Sequence, residues 1–238
     1  MDYIDYLKTG NKLTYWYRAR QNLIKRMLDQ ACHRGDEARR ILNVGPGTGN
    51  ELELLKRFGR IEALDLNEEA VSVLLNSGWN AIQADIEQHS LEYKAFDLIC
   101  AFDVLEHLEN DGGALENIFR GLKTDGLFLF TVPAFQSIFS SHDRIMGHKR
   151  RYSKKDLGKK LESAGFTIEH IGYWNSLLFP LMAIFRLAKS QEAQSNDMKN
   201  YTPMIDTLLY RIINIENQWP LKNIPMPFGL TIFGIAKK

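Results

Sequence analysis

Apolar positions change their period several times along this chain. Residues 15–31, YWYRARQNLIKRMLDQA, place Trp16, Ala19, Leu23 and Met27 at helical spacing. The run RRILNVG then predicts a buried strand, and GNELELLKRF the helix after it. RIEALDLN predicts a second strand, EEAVSVLLNSG a helix that stops near Gly78, and NAIQAD a short third strand. FDLICAFDVLEHL reads as a fourth strand running into a turn or helix, and GGALENIFRGLK as a helix. GLFLFTVPA predicts a fifth strand closed by Pro133. SKKDLGKKLESAG follows as a helix capped by Ser153, then FTIEHIGYW as a sixth strand and FGLTIFGIAKK as a seventh. Strands alternating with helices over 40–175 predict an α/β fold, a mostly parallel sheet with helices on both faces. Ligands of such sheets bind outside the carboxyl ends of the strands. Residues 176–226 break the alternation. They read as an amphipathic, Met- and Leu-rich helix pair around the polar middle KSQEAQSNDMKN, an insertion that covers a site or contacts a partner.

Composition narrows the class. The chain has 238 residues, 45% of them apolar, enough for one α/β domain with an elaboration. A net charge of +1 gives no general argument for nucleic acid. Cys32 and Cys100 make no disulfide framework; Cys100, in an apolar run, reads as a buried thiol, and a reducing cytoplasm is expected. The opening MDYIDYLKTG has no apolar core of a signal peptide. The longest apolar stretch, 176–185, contains Pro180 and is followed by Arg186 and Lys189. It falls short of the roughly 18 residues of a spanning helix, and either packs on the domain or docks peripherally on a membrane.

ILNVGPGTGN sets Gly45, Gly47 and Gly49 at alternate positions directly after the first strand. Glycines there imply positive φ or a close approach to the backbone. The spacing is not the G-x-G-x-x-G of dinucleotide folds. Asp65 closes the second strand, where a carboxylate can accept two hydrogen bonds from a ribose diol. Asp85 closes the third, where a carboxylate or its neighbouring N–H groups can read an adenine edge. Either acid alone is equally a solvated strand end; a glycine turn and two acids on three consecutive strand ends point to a nucleoside.

ILNVGPGTGN, ALDLN, QADIE, FDLICAFDVLEHL and LKTDGLFLFTVPA, in this order, resemble the class I S-adenosylmethionine-dependent methyltransferases over about 40–175, with the last strand rejoining at 228–238. The resemblance implies a Rossmann-like, doubly wound seven-stranded sheet with an antiparallel last strand. It divides the single domain into an N-terminal helical lid (1–39), a cofactor-binding core (40–175), a helical insertion (176–226) and the last strand (227–238). The implied cofactor is S-adenosyl-L-methionine. Gly45, Gly47 and Gly49 would line its methionine part, Asp65 with Leu66 would hold the ribose, and Asp85 with Ile86 would flank the adenine. Phe102 and Asp103 would lie beside the transferred methyl. The chain departs from the family at Asn43, where an acid is usual, and at Pro46, where a small residue or Cys is usual; Asn43 is expected to accept from the cofactor's amino group. TYWYRAR, SSHDRIMGHKRRYSKKDL, YWNSLLFP and PMPFGLTIFGIAKK are similar to a narrower subset found among polysaccharide and lipid-linked-sugar enzymes.

Two clusters bear on the chemistry. Asp103, Glu106 and His107 fall within one turn of DVLEHL. Related O-methyltransferases hold a divalent metal on such a string, but the expectation here is no metal, with Glu106 and His107 bracing the loop by hydrogen bonds. The second cluster is SSHDRIMGHKRRYS. There His142 or His148 is a candidate general base, with Asp143, Arg151 and Tyr152 beside them. Lys149, Arg150 and Arg151 are candidates to grip a substrate phosphate or carboxylate; the alternative is a solvated basic loop. Tyr15, Trp16 and Tyr17, with Arg18 and Arg20, form either a lid over the cofactor or, for Trp16, core. The expected function is methyl transfer to a small-molecule or lipid-linked acceptor at oxygen. The alternatives are a non-catalytic cofactor-binding or assembly protein using 176–226, and a nucleic-acid methyltransferase, for which neither a basic face nor a base pocket is visible.

Overall fold

The computed structural model describes residues 14–32, 38–181, 184, 202–218 and 226–238. Helix α1 (Tyr15–Ala31) begins at Thr14, whose hydroxyl accepts from the Tyr17 N–H, and buries Ala19, Leu23, Ile24, Met27 and Leu28 along one face. Strand β1 (Arg40–Val44) is followed by α2 (Leu52–Leu55), β2 (Arg60–Asp65), α3 (Glu68–Asn76) and the three-residue β3 (Ala81–Gln83). Next come β4 (Phe96–Phe102), a 3-10 turn (Leu105–His107), α4 (Asp111–Gly121) and β5 (Leu122–Pro133). A short α5 (Ser141–Ile145), α6 (Lys154–Ser163), β6 (Thr167–Trp174), α7 (Pro203–Glu216) and β7 (Thr231–Lys237) complete the described elements.

The seven strands form one sheet in the order β3-β2-β1-β4-β5-β7-β6. Every pairing is parallel except those of β7, which runs antiparallel to β5 and β6. The chain leaves β1 toward β2 and β3 on one side and returns to β4 on the other. The carboxyl ends of β1 and β4 are therefore the switch point at which such sheets open a crevice. One apolar cluster fills the face under α4 and α6, around Leu115, Ile118, Leu157 and Leu161. A second fills the face under α1, α2 and α3, around Leu23, Met27, Leu55 and Leu74.

The predicted strands and helices are present with shifted ends. β5 begins directly after α4, so LKTDG belongs to the strand and its register on β4 shifts between Phe96 and Leu98. β3 stops at Gln83, leaving Asp85 in the turn beyond it. Of the expected helix pair in the insertion, α7 is described; the polar middle, residues 189–200, lies outside the described residues.

Long-range polar contacts fasten α7 to α1 and to the end of β6. Asp206 pairs with Arg18 at 2.8 Å and accepts the Tyr15 N–H at 2.7 Å. Asn217 accepts from the Trp174 indole at 2.6 Å and donates to the Ala19 carbonyl at 2.9 Å. Buried Glu216 accepts the N–H groups of Ser176 and Leu177 at 2.8 and 3.0 Å. These bonds satisfy groups that burial would otherwise leave unpaired, so α1 and α7 pack as a pair over the sheet.

Candidate active site

The glycine turn after β1 is left-handed at each glycine: φ is +63° at Gly45, +55° at Gly47 and +78° at Gly49. The three are not equivalent. A β-carbon on Gly45 would lie 2.6 Å from Val104, and one on Gly49 would lie 2.6 Å from Leu74. A β-carbon on Gly47 would meet nothing within 4 Å. Gly45 and Gly49 thus let the turn pack against the protein, and Gly47 alone faces open space. The Gly47 N–H donates to Asp65 Oδ2 at 2.9 Å, and the Asn67 N–H donates to Asp65 Oδ1 at 2.9 Å. The carboxylate is aimed at the glycine turn, and each oxygen keeps acceptor capacity. Next to it Leu66 is 67% exposed, an apolar side chain standing in solvent at the strand end.

The other sequence-selected residues divide between open and closed positions. Asp85 closes its own turn, accepting from the Glu87 N–H at 2.9 Å and from Gln88 at 3.0 Å. Ile86 is buried in the core, and its carbonyl accepts from Asn117 at 2.9 Å. Its side chain is part of the core. Asn43 is buried, and its amide nitrogen has no partner. Pro46 is buried within the turn.

Phe102 and Asp103 end β4. Asp103 has φ +58°, a conformation rarely adopted by non-glycine residues. Thr131 donates to Asp103 Oδ1 at 3.0 Å, and Arg20 pairs with Asp103 Oδ2 at 2.9 Å. Arg20 also pairs with Glu51 and donates to the Phe102 carbonyl at 3.2 Å. Burial would lower the Arg20 pKa, but Asp103 and then Glu51 outweigh it and push it up. From sequence, Arg20 is placed with the lid residues of α1, and Glu51 is given no role. Glu51 directly follows the glycine turn, and a buried acid at that place was the available signal. Helix α1 therefore borders the site through Arg20, while Trp16 packs partly buried against the second core and 6.3 Å from the Trp174 ring.

The histidine-rich loop is built around an ion pair. Ser140 and Asp143 form a capping box at α5. Asp143 is fully buried and receives Arg151 Nε at 2.8 Å and Nη2 at 2.6 Å. His148 Nδ1 lies 3.0 Å from Asp143 Oδ1. Burial would raise the Asp143 pKa; the His148 and Arg151 hydrogen bonds outweigh it and hold the carboxyl well below its ordinary range. With Nδ1–H directed at Asp143, His148 presents Nε2 as its free position. Nε2 lies 4.0 Å from Glu106 Oε1. The His107 and His148 rings meet edge to face at 4.8 Å, and ligand atoms of Glu106, His107 and His148 all lie within 4.8 Å of one another. His107 is itself exposed, yet partial desolvation by its surroundings, then the neighbouring His148, lowers its pKa to about 4.

Two sequence expectations change here. The Glu106 side chain does not brace the loop, although its carbonyl accepts the Lys149 N–H at 2.7 Å and His107 hydrogen-bonds the Gly147 backbone: the side chain is fully buried, and neither carboxyl oxygen has a hydrogen-bond partner on another residue. Burial, and then Asp103, push its pKa well above the usual carboxyl range. Nor is the basic run an anion grip. Lys149 pairs with Glu109, Arg150 donates to the Leu108 and Glu109 carbonyls and pairs with Asp111, and Arg151 holds Asp143 and the Ala134 carbonyl. Tyr152 is buried and donates to Asp111 at 2.8 Å and to the Leu105 carbonyl at 2.9 Å, which makes it a brace for the 3-10 turn. His142 lies on α5, in the same loop.

Residues 15–171 match the family described as Methyltransferase domain. The chain belongs to this family. Among curated methyltransferases, a Mycolicibacterium smegmatis protein named as a probable S-adenosylmethionine-dependent methyltransferase is 24% identical over 65% of this chain and 60% of its own length. A malonyl-[acyl-carrier protein] O-methyltransferase from Halalkalibacterium halodurans is 29% identical over 67% of this chain and 61% of its own. The match thus spans about 60% of the length of such relatives. The fold is shared with a solved S-adenosylmethionine-dependent methyltransferase from Archaeoglobus fulgidus (22% identity, TM-score 0.57, 92% of this chain and 94% of that one). It is shared also with one from Mesorhizobium loti (14% identity, TM-score 0.62, 92% and 98%). The methyltransferase cofactor is S-adenosylmethionine, and the turn fits it: Gly47 opens onto free space beside Asp65, and Asn43, two residues before Gly45, keeps an unpaired buried amide nitrogen. Among the described residues no helix is long and apolar enough to cross a membrane.

Proposed function

We propose that this methyltransferase acts on an oxygen of a small-molecule or lipid-linked acceptor, saccharide carriers included. The observation that carries the reading is the Asp143–His148 pair, whose free imidazole nitrogen opens toward Glu106 and His107 beside the carboxyl end of β4. When bound, S-adenosylmethionine supplies a methyl group activated on a sulfonium. Gly47, Asp65 and Leu66 would hold it, with Asp85 near the base and Asp103 toward the methyl. The protein's own part is to align the acceptor and take its proton. His148 is the base in this reading. Asp143 fixes its ring, and Arg151 fixes Asp143 without touching the acceptor. Lys149, Arg150 and Tyr152 hold the loop and the 3-10 turn.

A relative named for O-methylation supports oxygen as the target atom. The lipid-linked part of the reading is supported by apolar side chains left exposed near the insertion: Leu181, Ile184, Met204 and Leu208. It is supported too by the similarity of the chain's flanks to enzymes of lipid-linked sugars. A cytoplasmic protein with peripheral membrane contact accords with both. Incubating the protein with methyl-labelled S-adenosylmethionine and a source-cell extract tests the reading. Label in an organic-soluble or small-molecule product is expected; label only in nucleic acid, or none, contradicts it. His148→Ala is expected to abolish transfer, whereas equal turnover in that variant excludes His148 as the base.

A further inference from the structure

We infer that the acceptor carries a hydrocarbon chain, and that Phe135, Phe179 and Phe228 seat it. The inference rests on the methyl-transfer reading above and, among the acceptors allowed there, selects the lipid-linked class.

Four rings form a continuous wall at the edge of the sheet that carries the site. Phe135 follows the end of β5, Tyr173 lies next to the end of β6, and Phe228 precedes β7. Because β7 runs antiparallel to both of its neighbours, all three places lie at the edge where β1 and β4 also end. The backbones meet there: the Ala134 N–H donates to the Leu230 carbonyl at 2.8 Å, and the Leu230 N–H to the Asn175 carbonyl at 3.4 Å. Phe135 stacks on Tyr173 with 5.1 Å between ring centroids and 17° between planes. Phe179 lies 5.4 Å from Phe135 and 5.2 Å from Phe228.

The wall starts on the loop that carries the base. Phe135 has φ +60°, a left-handed backbone that glycine takes freely and phenylalanine only under strain. Its N–H donates to the Tyr152 carbonyl at 2.8 Å, and the Gln136 side-chain oxygen accepts the Arg151 N–H at 2.8 Å. Arg151 holds Asp143, and Asp143 holds His148. Away from this loop the wall opens to solvent. Tyr173 is buried, Phe135 and Phe179 are half-buried, and Phe228 is exposed, as are Leu177, Leu181 and Ile184 beside Phe179.

The chemistry of the wall selects its occupant. No residue of 133–141, 173–185 or 226–234 is charged, in a chain that is 25% charged. A phosphate, a carboxylate or a free saccharide needs ion pairs or directed hydrogen bonds. The three phenylalanines and the leucines beside them offer neither. A hydrocarbon chain needs only apolar area taken from water, and a row of rings supplies it. The backbone behind the wall is already held: Glu216 accepts the Ser176 and Leu177 N–H groups, and the Ser176 hydroxyl donates to the Phe228 carbonyl. Binding a chain there orders little new structure.

The test is calorimetry of the full chain, saturated with S-adenosylhomocysteine, against methyl, hexyl, octyl and decyl β-glucosides below micelle formation. Affinity is expected to rise about twofold to fourfold per methylene. Phe228→Gln and Leu181→Gln alter exposed side chains, so their unfolding curves should match wild type. Each is expected to weaken decyl glucoside about threefold to tenfold and to leave S-adenosylmethionine binding unchanged. Phe135→Gly suits the left-handed backbone, removes the first ring and is expected to flatten the dependence on chain length. No rise with chain length, or the same rise in wild type and all three variants, overturns the inference. So does binding to phosphatidylcholine–phosphatidylglycerol vesicles that Leu181→Gln abolishes while the glucosides show no such rise, which makes the face a membrane anchor. A dimer in sedimentation velocity that Leu181→Gln dissociates makes it a contact between copies, and overturns the inference too. With methyl-labelled S-adenosylmethionine and a source-cell extract, label is expected in an organic-soluble product, with KM for that product's precursor raised and kcat kept in Phe228→Gln. Label only in a water-soluble product overturns the inference and leaves the methyltransferase reading standing. No label in any product, with the glucosides binding as expected, contradicts the methyl-transfer reading and supports the seat.

Discussion

The two halves of the crevice are made of different material. The β1–β2 half is backbone: left-handed glycines, an N–H held by Asp65, and free space where a side chain would stand. The β4–β5 half is side chains: an Asp143–Arg151 ion pair, a histidine hung on it, and an unpaired buried acid. Backbone geometry is fixed by local residues and tolerates almost no change at them. A side-chain network is fixed by partners distant in sequence, and survives or fails as a unit. One half suits a cofactor common to the whole family; the other suits an acceptor particular to this chain.

Removing one member of the buried pair should have the largest effect. Asp143→Ala leaves the Arg151 charge buried and alone, and is expected to cost about 3–5 kcal/mol in denaturant unfolding. The double change Asp143→Leu with Arg151→Met should cost clearly less than Asp143→Ala; an equal or larger loss would mean the pair is not the loop's support. The glycines come next and separate space from packing. Gly45→Ala meets Val104 at a left-handed φ and should cost about 1–3 kcal/mol. Gly47→Ala should unfold the protein less than Gly45→Ala does, because its β-carbon enters open space. Equal destabilisation in the two would erase the distinction drawn between them. Asp65→Asn is expected to weaken S-adenosylmethionine binding by about tenfold to a hundredfold, read by calorimetry, through loss of charge-assisted hydrogen bonds. A shift within twofold would take Asp65 out of the cofactor site.

The smallest effect concerns acid. Burial would raise the Asp111 pKa, yet the Lys160 and Tyr152 hydrogen bonds hold it below its ordinary value. A carboxyl depressed in the folded state contributes stability above its unfolded pKa and loses it as pH falls through the folded one. Stability should therefore fall on acidification below about pH 4, and less steeply in Asp111→Asn. A parallel decline in both proteins would assign the loss to other carboxyls.

This contrast also explains what was legible in the sequence. Gly45, Gly47, Gly49 and Asp65 sit at strand ends that hydrophobic period alone predicts, so the backbone half was readable. The sheet, including its alternation with helices, was readable for the same reason. The run KRRYSKK was not: its charge is plain, but Asp111, Glu109 and Asp143, which absorb it, are brought in by the fold. Arg20 joining Glu51 to Asp103 is likewise a meeting of three distant segments. The Glu106–His107 pair was visible as a motif, while the isolation of the Glu106 carboxyl from hydrogen-bond partners was not, since that depends on what packs around it.

The central claim is that the space in front of Gly47 is the cofactor's. Calorimetric titration of wild type and Gly47→Ala with S-adenosylmethionine, alongside their unfolding curves, tests it most directly. The account predicts one-to-one binding to wild type, displaced by S-adenosylhomocysteine, and binding at least about tenfold weaker to a still-folded Gly47→Ala. No heat with wild type, or equal affinity in the folded variant, would contradict it.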